Sequence, residues 1–160
     1  MGRKQIRCHG DPDRFEVVAA FIHERYGDSI RYIADVAGGQ GLLSRILNKK
    51  YHYSPTVIDP RGHVLVGVDN RQCEYDASMA GYYDLVVGLH PDEAIRPVIL
   101  SARHTRVLAV PCCNHWDVER KLGARALVEA ICQHLTDERI ACETITLPFA
   151  GPKNIAIIAG

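Results

Sequence analysis

A glycine-rich turn between an apolar segment and a helix-like segment constrains the fold of this chain more than any other feature. The apolar segment covers residues 32–34, the turn covers residues 35–41, and the helix-like segment covers residues 42–48. Glycine allows a positive φ and a close approach of a ligand, and a helix N-terminus offers unpaired N–H groups with a partial positive charge. These segments predict a strand, a tight turn and a helix that together bind a nucleotide.

A second acidic residue extends this prediction. Asp59 follows the strand-like residues 56–58 and comes eighteen positions after Gly41. A carboxylate at the end of a second strand can accept hydrogen bonds from both hydroxyls of a ribose. Asp59 and the glycine-rich turn therefore predict a cofactor that contains adenosine.

Size, charge and cysteine content limit the class of protein. The 160 residues are enough for one domain, which we expect to cover residues 1–160. Nineteen basic and nineteen acidic residues give a net charge of zero, which neither indicates nucleic-acid binding nor excludes a local basic face. The apolar runs are the length of strands, so we expect a cytoplasmic protein without a membrane span. Six cysteines are too few for a disulfide scaffold, and we expect reduced thiols.

Helical and strand-like patterns alternate along the chain, as in proteins with a parallel sheet. Helices are expected at residues 12–26, 42–48, 91–102 and 118–135. Strands are expected at residues 32–34, 56–58, 72–77, 83–89 and 106–111. Residues 63–68 form an apolar stretch that fits either a strand or a short helix.

The chain ends with two strand-like segments, residues 142–149 and 154–159, with only residues 150–153 between them. Such a short connection cannot join parallel strands, so the two segments predict an antiparallel hairpin. The whole pattern predicts an open α/β sheet of about seven strands, mostly parallel, with helices on both faces. Ligands of such sheets bind at the carboxyl ends of the strands, where the polar motifs of this chain lie.

Asp35 distinguishes between two kinds of cofactor. Residues 39–44 nearly match the dinucleotide fingerprint, with Ser44 in place of its third glycine, so a nicotinamide or flavin nucleotide is an alternative. A carboxylate at the end of the first strand would repel a pyrophosphate but attract an amino group and a sulfonium. Asp35 therefore favours S-adenosylmethionine over NAD.

The turn resembles the first motif of class I S-adenosylmethionine-dependent methyltransferases, which reads acid-x-Gly-x-Gly-x-Gly. Asp35, Ala37, Gly39 and Gly41 match this motif, with Ala37 in place of its first glycine. The resemblance implies a single Rossmann-like domain with S-adenosylmethionine as its cofactor.

The resemblance also implies roles for individual residues. Asp35 is expected to bind the amino group of the methionine moiety, and Asp59 is expected to bind the ribose. Asp76 resembles the acidic residue that lies near the adenine amino group in this family. The expected cofactor-binding residues are Asp35, Ala37, Gly38, Gly39, Gly41, Asp59, Asp76 and His90.

Two further strings resemble motifs of a methyltransferase subgroup that includes tRNA ribose 2'-O-methyltransferases. Leu89-His90 matches a Leu-His motif, and residues 112–115 match a Cys-Cys-x-His motif. Pro91-Asp92 replaces the Cys-Gly that usually follows Leu-His, and the 160 residues contain no zinc-finger pattern. The resemblance implies RNA, and tRNA in particular, as an acceptor. Basic residues that can contact its phosphates are Arg3, Lys4, Arg7, Arg45, Lys49 and Lys50.

The expected catalytic residues lie at the same edge of the sheet. His90 follows the fourth strand, where an imidazole either takes a proton from a hydroxyl acceptor or only shapes the loop. His115 is a second candidate base, and Asp92 can orient His90. The expected acceptor-binding residues are Pro111, Cys112, Cys113, Asn114 and Trp116.

No metal is expected at Cys112 and Cys113. Side chains of successive residues in an extended segment point to opposite faces, and zinc-binding cysteine pairs usually have two or more residues between them. We therefore expect one cysteine to pack inward and the other to line the acceptor site.

A non-catalytic protein is the alternative hypothesis. It would keep the fold and the cofactor site but act as a subunit or a sensor. Because the chain has no separate substrate-recognition domain, we expect that a homodimer partner or another protein completes the acceptor site. A nicotinamide-dependent oxidoreductase is a third hypothesis, which Asp35 disfavours.

Overall fold

Seven strands form one sheet in residues 6–160, the part of the chain that this computed structural model describes. The strands are β1 (Tyr32–Val36), β2 (Ser54–Ile58), β3 (Asn70–Arg71), β4 (Leu85–Leu89), β5 (Arg106–Val110), β6 (Cys142–Thr146) and β7 (Ile155–Ala159). Their order across the sheet is β3-β2-β1-β4-β5-β7-β6. The first five of these are parallel, and β7 is antiparallel to both of its neighbours. The predicted mostly parallel sheet with a C-terminal hairpin is confirmed.

Helices cover both faces of the sheet, as predicted. They are α1 (Arg14–Tyr26), α2 (Leu42–Lys49), α3 (Ile95–Leu100) and α4 (Ala124–Asp137), with 3₁₀ helices at Gly27–Ser29, Ala77–Tyr82, Asp92–Ala94 and Ser101–Arg103. Leu85 and Val87 of β4 pack in one buried cluster with α1 and α2, whereas Val86 packs in another with α3 and α4. Successive strand side chains point to opposite faces, which separates the two clusters. No helix in residues 6–160 has both the length and the apolar character needed to cross a bilayer.

The third strand lies earlier than the sequence predicted. β3 pairs with Val57 and Ile58 of β2, and residues 72–77 form no strand. Asp76 instead begins the 3₁₀ helix Ala77–Tyr82, because its carboxylate accepts a hydrogen bond of 2.8 Å from the backbone N–H of Ser78. Side-chain bonds of this kind compete with the hydrogen bonds of a sheet. The prediction of a strand at residues 72–77 is therefore wrong.

Residues 63–68 form neither a strand nor a helix. Gly62 and Gly67 have φ of 66° and 84°, which interrupts an extended backbone at both ends of the segment. Leu65 is buried, and its N–H donates a hydrogen bond of 3.0 Å to the carbonyl oxygen of Gln40. The segment therefore packs against the glycine-rich turn and does not extend the sheet.

Two helices begin later than predicted. After β4, Asp92 has φ of 48° and begins a 3₁₀ helix, so α3 starts only at Ile95. After β5, the Asn114 side chain accepts a hydrogen bond from the N–H of Asp117 and donates to the carbonyl oxygens of Asp117 and Arg120. These bonds stabilise a loop, and α4 starts at Ala124. Val118, where the sequence predicted this helix to begin, is 84% exposed.

We predict that Gly41→Ala destabilises the protein, because two costs add. Gly41 has φ of 79°, and an added Cβ would lie 2.8 Å from Cγ1 of Val68 and 3.1 Å from Cγ2 of Val57. The left-handed backbone and the overpacking should together lower the free energy of unfolding by about 2–4 kcal/mol, measured by urea denaturation. Gly81→Ala is the matched control, since an added Cβ there meets nothing within 4 Å. Equal stability of the two variants would contradict the prediction.

Candidate functional site

The carboxyl ends of β1, β4 and β5 border one open cavity of about 900 Å³. The glycine-rich turn forms one wall, and the segments after β4 and β5 form another. The loop between β6 and β7 also lines the cavity, because β7 runs opposite to β5 and begins at this edge of the sheet. The parallel strands and the reversed strand therefore bring their loops to the same site.

The glycine-rich turn has a left-handed backbone at three positions. The φ angles are 55° at Ala37, 59° at Gly39 and 79° at Gly41. A left-handed alanine costs about 1–2 kcal/mol, so Ala37 carries strain where a glycine would carry none. The N–H of Ala37 donates to the carbonyl oxygen of Ile58 over 2.9 Å, which ties the turn to β2. Gly38 and Gly39 line the cavity directly before the N-terminus of α2.

Asp35 is a buried carboxyl group in the wall of the cavity. It is 2% exposed, and its Oδ2 accepts a hydrogen bond of 2.7 Å from Oγ of Ser44. Burial raises the pKa of Asp35 to about 6, although the hydrogen bond from Ser44 opposes this shift. A Cβ on Gly38 would lie 2.7 Å from Cγ of Asp35, so only glycine leaves room for the carboxyl group there. None of the ion pairs within residues 6–160 includes Asp35.

Asp59 connects the glycine-rich turn to an arginine. Its Oδ2 accepts a hydrogen bond of 2.9 Å from the N–H of Gly39 and lies 2.6 Å from Nη2 of Arg61. Its Oδ1 accepts hydrogen bonds from the backbone N–H and Nε of Arg61. Burial raises the pKa of Asp59, but these hydrogen bonds outweigh burial and hold the pKa below its ordinary value. The Arg61 side chain is 53% exposed and lines the cavity.

His90 lines the cavity with a defined tautomer. Its Nε2 lies 2.8 Å from the carbonyl oxygen of Lys153, which can only accept, so Nε2 carries a hydrogen and, in the neutral ring, Nδ1 carries a lone pair. Burial lowers the pKa of His90, which favours the neutral ring. The ring also makes an edge contact with Phe149, with 6.3 Å between ring centroids.

Asp92, Cys112 and Cys113 lie close together at the cavity. Sγ of Cys112 donates a hydrogen bond of 2.8 Å to Oδ1 of Asp92. The sequence predicted His90, and not this thiol, as the partner of Asp92. Burial and Asp92 raise the pKa of Cys112 to about 12. The prediction that one cysteine packs inward is wrong, because both cysteines line the cavity and their Sγ atoms lie within 4.8 Å of each other. Both follow the end of β5, and neither belongs to a strand.

Seven expected site residues lie outside the cavity lining of the described chain. They are Gly41, Asp59, Asp76, Pro111, Asn114, His115 and Trp116. Trp116 is buried beneath the Arg96 guanidinium, which lies 4.4 Å from its ring centroid, and it contacts His134 edge-on. The Asp76 carboxylate caps a 3₁₀ helix and the Asn114 amide stabilises its own loop. Their assigned binding and catalytic roles stay predictions.

Only some of the basic residues that were expected to contact RNA phosphates line the cavity. Arg7 lines it, whereas Arg45, Lys49 and Lys50 do not, and Lys50 pairs with Glu16 over 3.3 Å. Arg3 and Lys4 lie outside the described residues.

Several cationic and aromatic residues of the lining belong to none of the sequence motifs. These are His9, Arg14, Arg61, His63, Phe149 and Lys153. The order and direction of the strands could have indicated two of them, because Arg61 follows the end of β2 and Lys153 precedes the start of β7. Both positions lie at the carboxyl edge once the strand directions are known.

Comparison with known proteins supports the fold. The sequence matches no model of a known protein family and no curated protein. The sugar N-methyltransferase KedS8 from Streptoalloteichus sp ATCC 53650 superposes with a TM-score of 0.61 and 15% identity, over 99% of this chain and 98% of that one. SAM-bound CalS10, an amino pentose methyltransferase from Micromonospora echinaspora, superposes with a TM-score of 0.59 and 12% identity, over 92% of this chain and 90% of that one. The methyltransferase domain of bacterial CtHen1-CN superposes with a TM-score of 0.60 and 10% identity, over 92% of this chain and 98% of that one. The chain therefore has the Rossmann-like fold of these methyltransferases.

We predict that Asp35 makes stability depend on pH. Its pKa is about 6 in the folded protein, against 3.8 as the ordinary value, so the folded state holds this proton more tightly than the unfolded chain. Its stabilising contribution is present at low pH and is lost as the pH rises through this window. Between pH 4 and 7, the unfolding free energy of the protein should fall by about 2–3 kcal/mol relative to Asp35→Asn, measured by urea denaturation. If the unfolding free energies of the two proteins changed with pH in parallel, the raised pKa of Asp35 would be refuted.

Proposed function

We propose that this protein is an S-adenosylmethionine-dependent methyltransferase that binds its methyl donor at the glycine-rich turn. The observation that carries the proposal is Asp35, a buried carboxyl group without an ion-pair partner among the described residues, in the wall of an open cavity. A bound cation would relieve the cost of ionising such a group. The donor has two positive groups, an amino group and a sulfonium, whereas NAD would place a pyrophosphate near this carboxyl group.

The residues present fit the other parts of the donor. Asp59 would accept hydrogen bonds from the ribose hydroxyls, and its position is fixed by the N–H of Gly39. Gly38 and Gly39 allow a ligand to approach the backbone of the turn. Arg61 occupies acceptor positions on Asp59, so its exposed side chain must turn away when the ribose binds.

The proposed chemistry requires mainly positioning from the protein. When bound, the donor supplies a methyl group on a positively charged sulfur that is already an activated leaving group. The cavity walls would align the acceptor with that methyl group. His90 would accept a proton from a hydroxyl acceptor at Nδ1, while its Nε2 stays bonded to the Lys153 carbonyl oxygen.

RNA, and tRNA in particular, is the acceptor that we propose. The Leu-His and Cys-Cys-x-His strings support this choice, and His90, Cys112 and Cys113 from these strings line the cavity. Arg7, Arg14 and Lys153 add positive charge to the same lining, which suits a phosphate-bearing acceptor.

Calorimetric titration with S-adenosylmethionine tests the donor site, with opposite results expected for two neighbouring residues. Asp59→Asn should weaken binding by about tenfold or more, because the ribose loses a charged acceptor. Arg61→Ala should strengthen binding by up to about fivefold, because the ribose no longer has to displace the half-exposed Arg61 side chain from Asp59. Lys50→Ala is the control, since it removes an exposed ion pair that does not line the cavity. Absence of binding to the unaltered protein would sink the proposed function.

Incubation with labelled donor and fractionated cellular RNA, protein and metabolites tests the acceptor. We expect the label in RNA, with tRNA as the labelled species. His90→Asn should lower turnover by about 10²–10⁴-fold, because an amide takes no proton while asparagine tolerates the φ of 52°. Label in the metabolite fraction would refute the RNA acceptor. Binding without any transfer would favour the sensor hypothesis.

A further inference from the structure

Three metal-ligating side chains converge where the segments after β4 and β5 meet. One ligand atom each from Asp92, Cys112 and Cys113 lies within 4.8 Å of the other two. All three residues line the large cavity, so a ligand at this place is open to the proposed acceptor site. Neither sequence motif contains this set. The Cys-Cys-x-His string combines the two cysteines with His115, whereas Asp92 comes from the segment after Leu89-His90.

The backbone explains how neighbouring cysteines share one side. β5 ends at Val110, and Cys112 and Cys113 lie in the irregular segment that follows. The alternation of strand side chains therefore stops before the cysteines. Asp92 has φ of 48°, a left-handed conformation that costs a non-glycine residue about 1–3 kcal/mol, and its carboxylate contacts Cys112. The local structure thus holds Asp92 against the cysteine pair.

Two sulfur atoms and one carboxylate oxygen form a ligand set that suits zinc. Tetrahedral zinc has bonds of about 2.3 Å to sulfur and about 2.0–2.2 Å to carboxylate oxygen, which separates its ligand atoms by about 3.5–3.8 Å. The ligand atoms of the three residues lie within 4.8 Å of one another, so they would have to move by about 1 Å or less to reach these separations. Three protein ligands and one open position are typical of functional zinc sites, whereas structural sites have four protein ligands.

The surrounding charges are compatible with a bound zinc ion. Two thiolates and a carboxylate around Zn²⁺ leave one net negative charge, and Lys153 Nζ lies 3.6 Å from Sγ of Cys113. The ammonium can donate to a zinc-bound thiolate, as outer hydrogen bonds to zinc ligands do. Cys112 now donates its thiol hydrogen to Asp92, so zinc binding would replace this hydrogen bond with two metal bonds. The thiols of Cys112 and Cys113 would each release one proton to solvent.

We propose that Asp92, Cys112 and Cys113 bind one zinc ion whose fourth position opens into the cavity. The hydroxyl group of the acceptor can complete the tetrahedron, which would hold the acceptor oxygen near the carboxyl ends of β4 and β5. This positioning role rests on the proposed methyltransferase function, but zinc binding itself does not. His115 and the pair Cys132 and Cys142, whose sulfur atoms lie 3.1 Å apart, are not part of the site.

Zinc titration of chelator-treated, fully reduced protein tests the site, with a chromophoric chelator as competitor. We expect one zinc ion per chain, and an affinity lowered about tenfold or more in Cys113→Ser and in Asp92→Asn. Cobalt substitution should give a thiolate charge-transfer absorption that decreases in Cys112→Ser and in Cys113→Ser. Cys132→Ser is the matched control, because it removes a partly buried thiol from α4 and should leave both signals unchanged.

The outcomes separate the zinc site from the donor site. Cys113 is exposed, so Cys113→Ser should fold normally, and circular dichroism checks this. Zinc affinity unchanged in Cys113→Ser, or no binding to the unaltered protein, would overturn the zinc site. Calorimetry with S-adenosylmethionine on the same zinc-free protein shows whether the donor site stands. Donor binding without zinc binding would refute the metal alone, and zinc binding without donor binding would refute the proposed function alone.

Discussion

The glycine-rich turn fits between two buried carboxyl groups, and the geometry of the site depends on this fit. On one side, Gly38 has no side chain where the Asp35 carboxyl group lies. On the other side, the N–H of Gly39 donates to Asp59. One short turn therefore sets the distance between the acidic ends of β1 and β2. A side chain at Gly38 would displace either the turn or the Asp35 carboxyl group, because its Cβ would lie within 2.8 Å of three atoms of that group.

Burial has opposite consequences for these two carboxyl groups. Asp35 has a serine hydroxyl as its side-chain partner, so burial dominates and its pKa rises to about 6. Asp59 receives hydrogen bonds from Gly39 and Arg61, and its pKa falls below the ordinary value. The first group therefore gains from a cationic ligand, whereas the second is already compensated. Such a pair discriminates between the two ends of a ligand that carries positive charge at one end only.

The direction of the last strand determines which loop faces the glycine-rich turn across the cavity. Because β7 is antiparallel to β5, the loop before β7 reaches the carboxyl edge of the parallel strands. Lys153 then provides a carbonyl oxygen for His90 and an ammonium group for Cys113. The hairpin therefore connects the histidine to the cysteine pair. A parallel last strand would place this loop at the other edge of the sheet.

The sequence by itself determined the sheet, the hairpin, the glycine-rich turn and the acidic residues at the ends of β1 and β2. These features depend on local signals: apolar runs as in β4, a short connection after β6, and glycines where φ is positive. Only the tertiary structure decided the position of β3, the late start of α4, and the grouping of Asp92 with Cys112 and Cys113. Side-chain hydrogen bonds to the backbone override local propensity at Asp76 and Asn114. Contacts between loops, such as Asp92 with Cys112 twenty positions away, arise only when the strands bring those loops together.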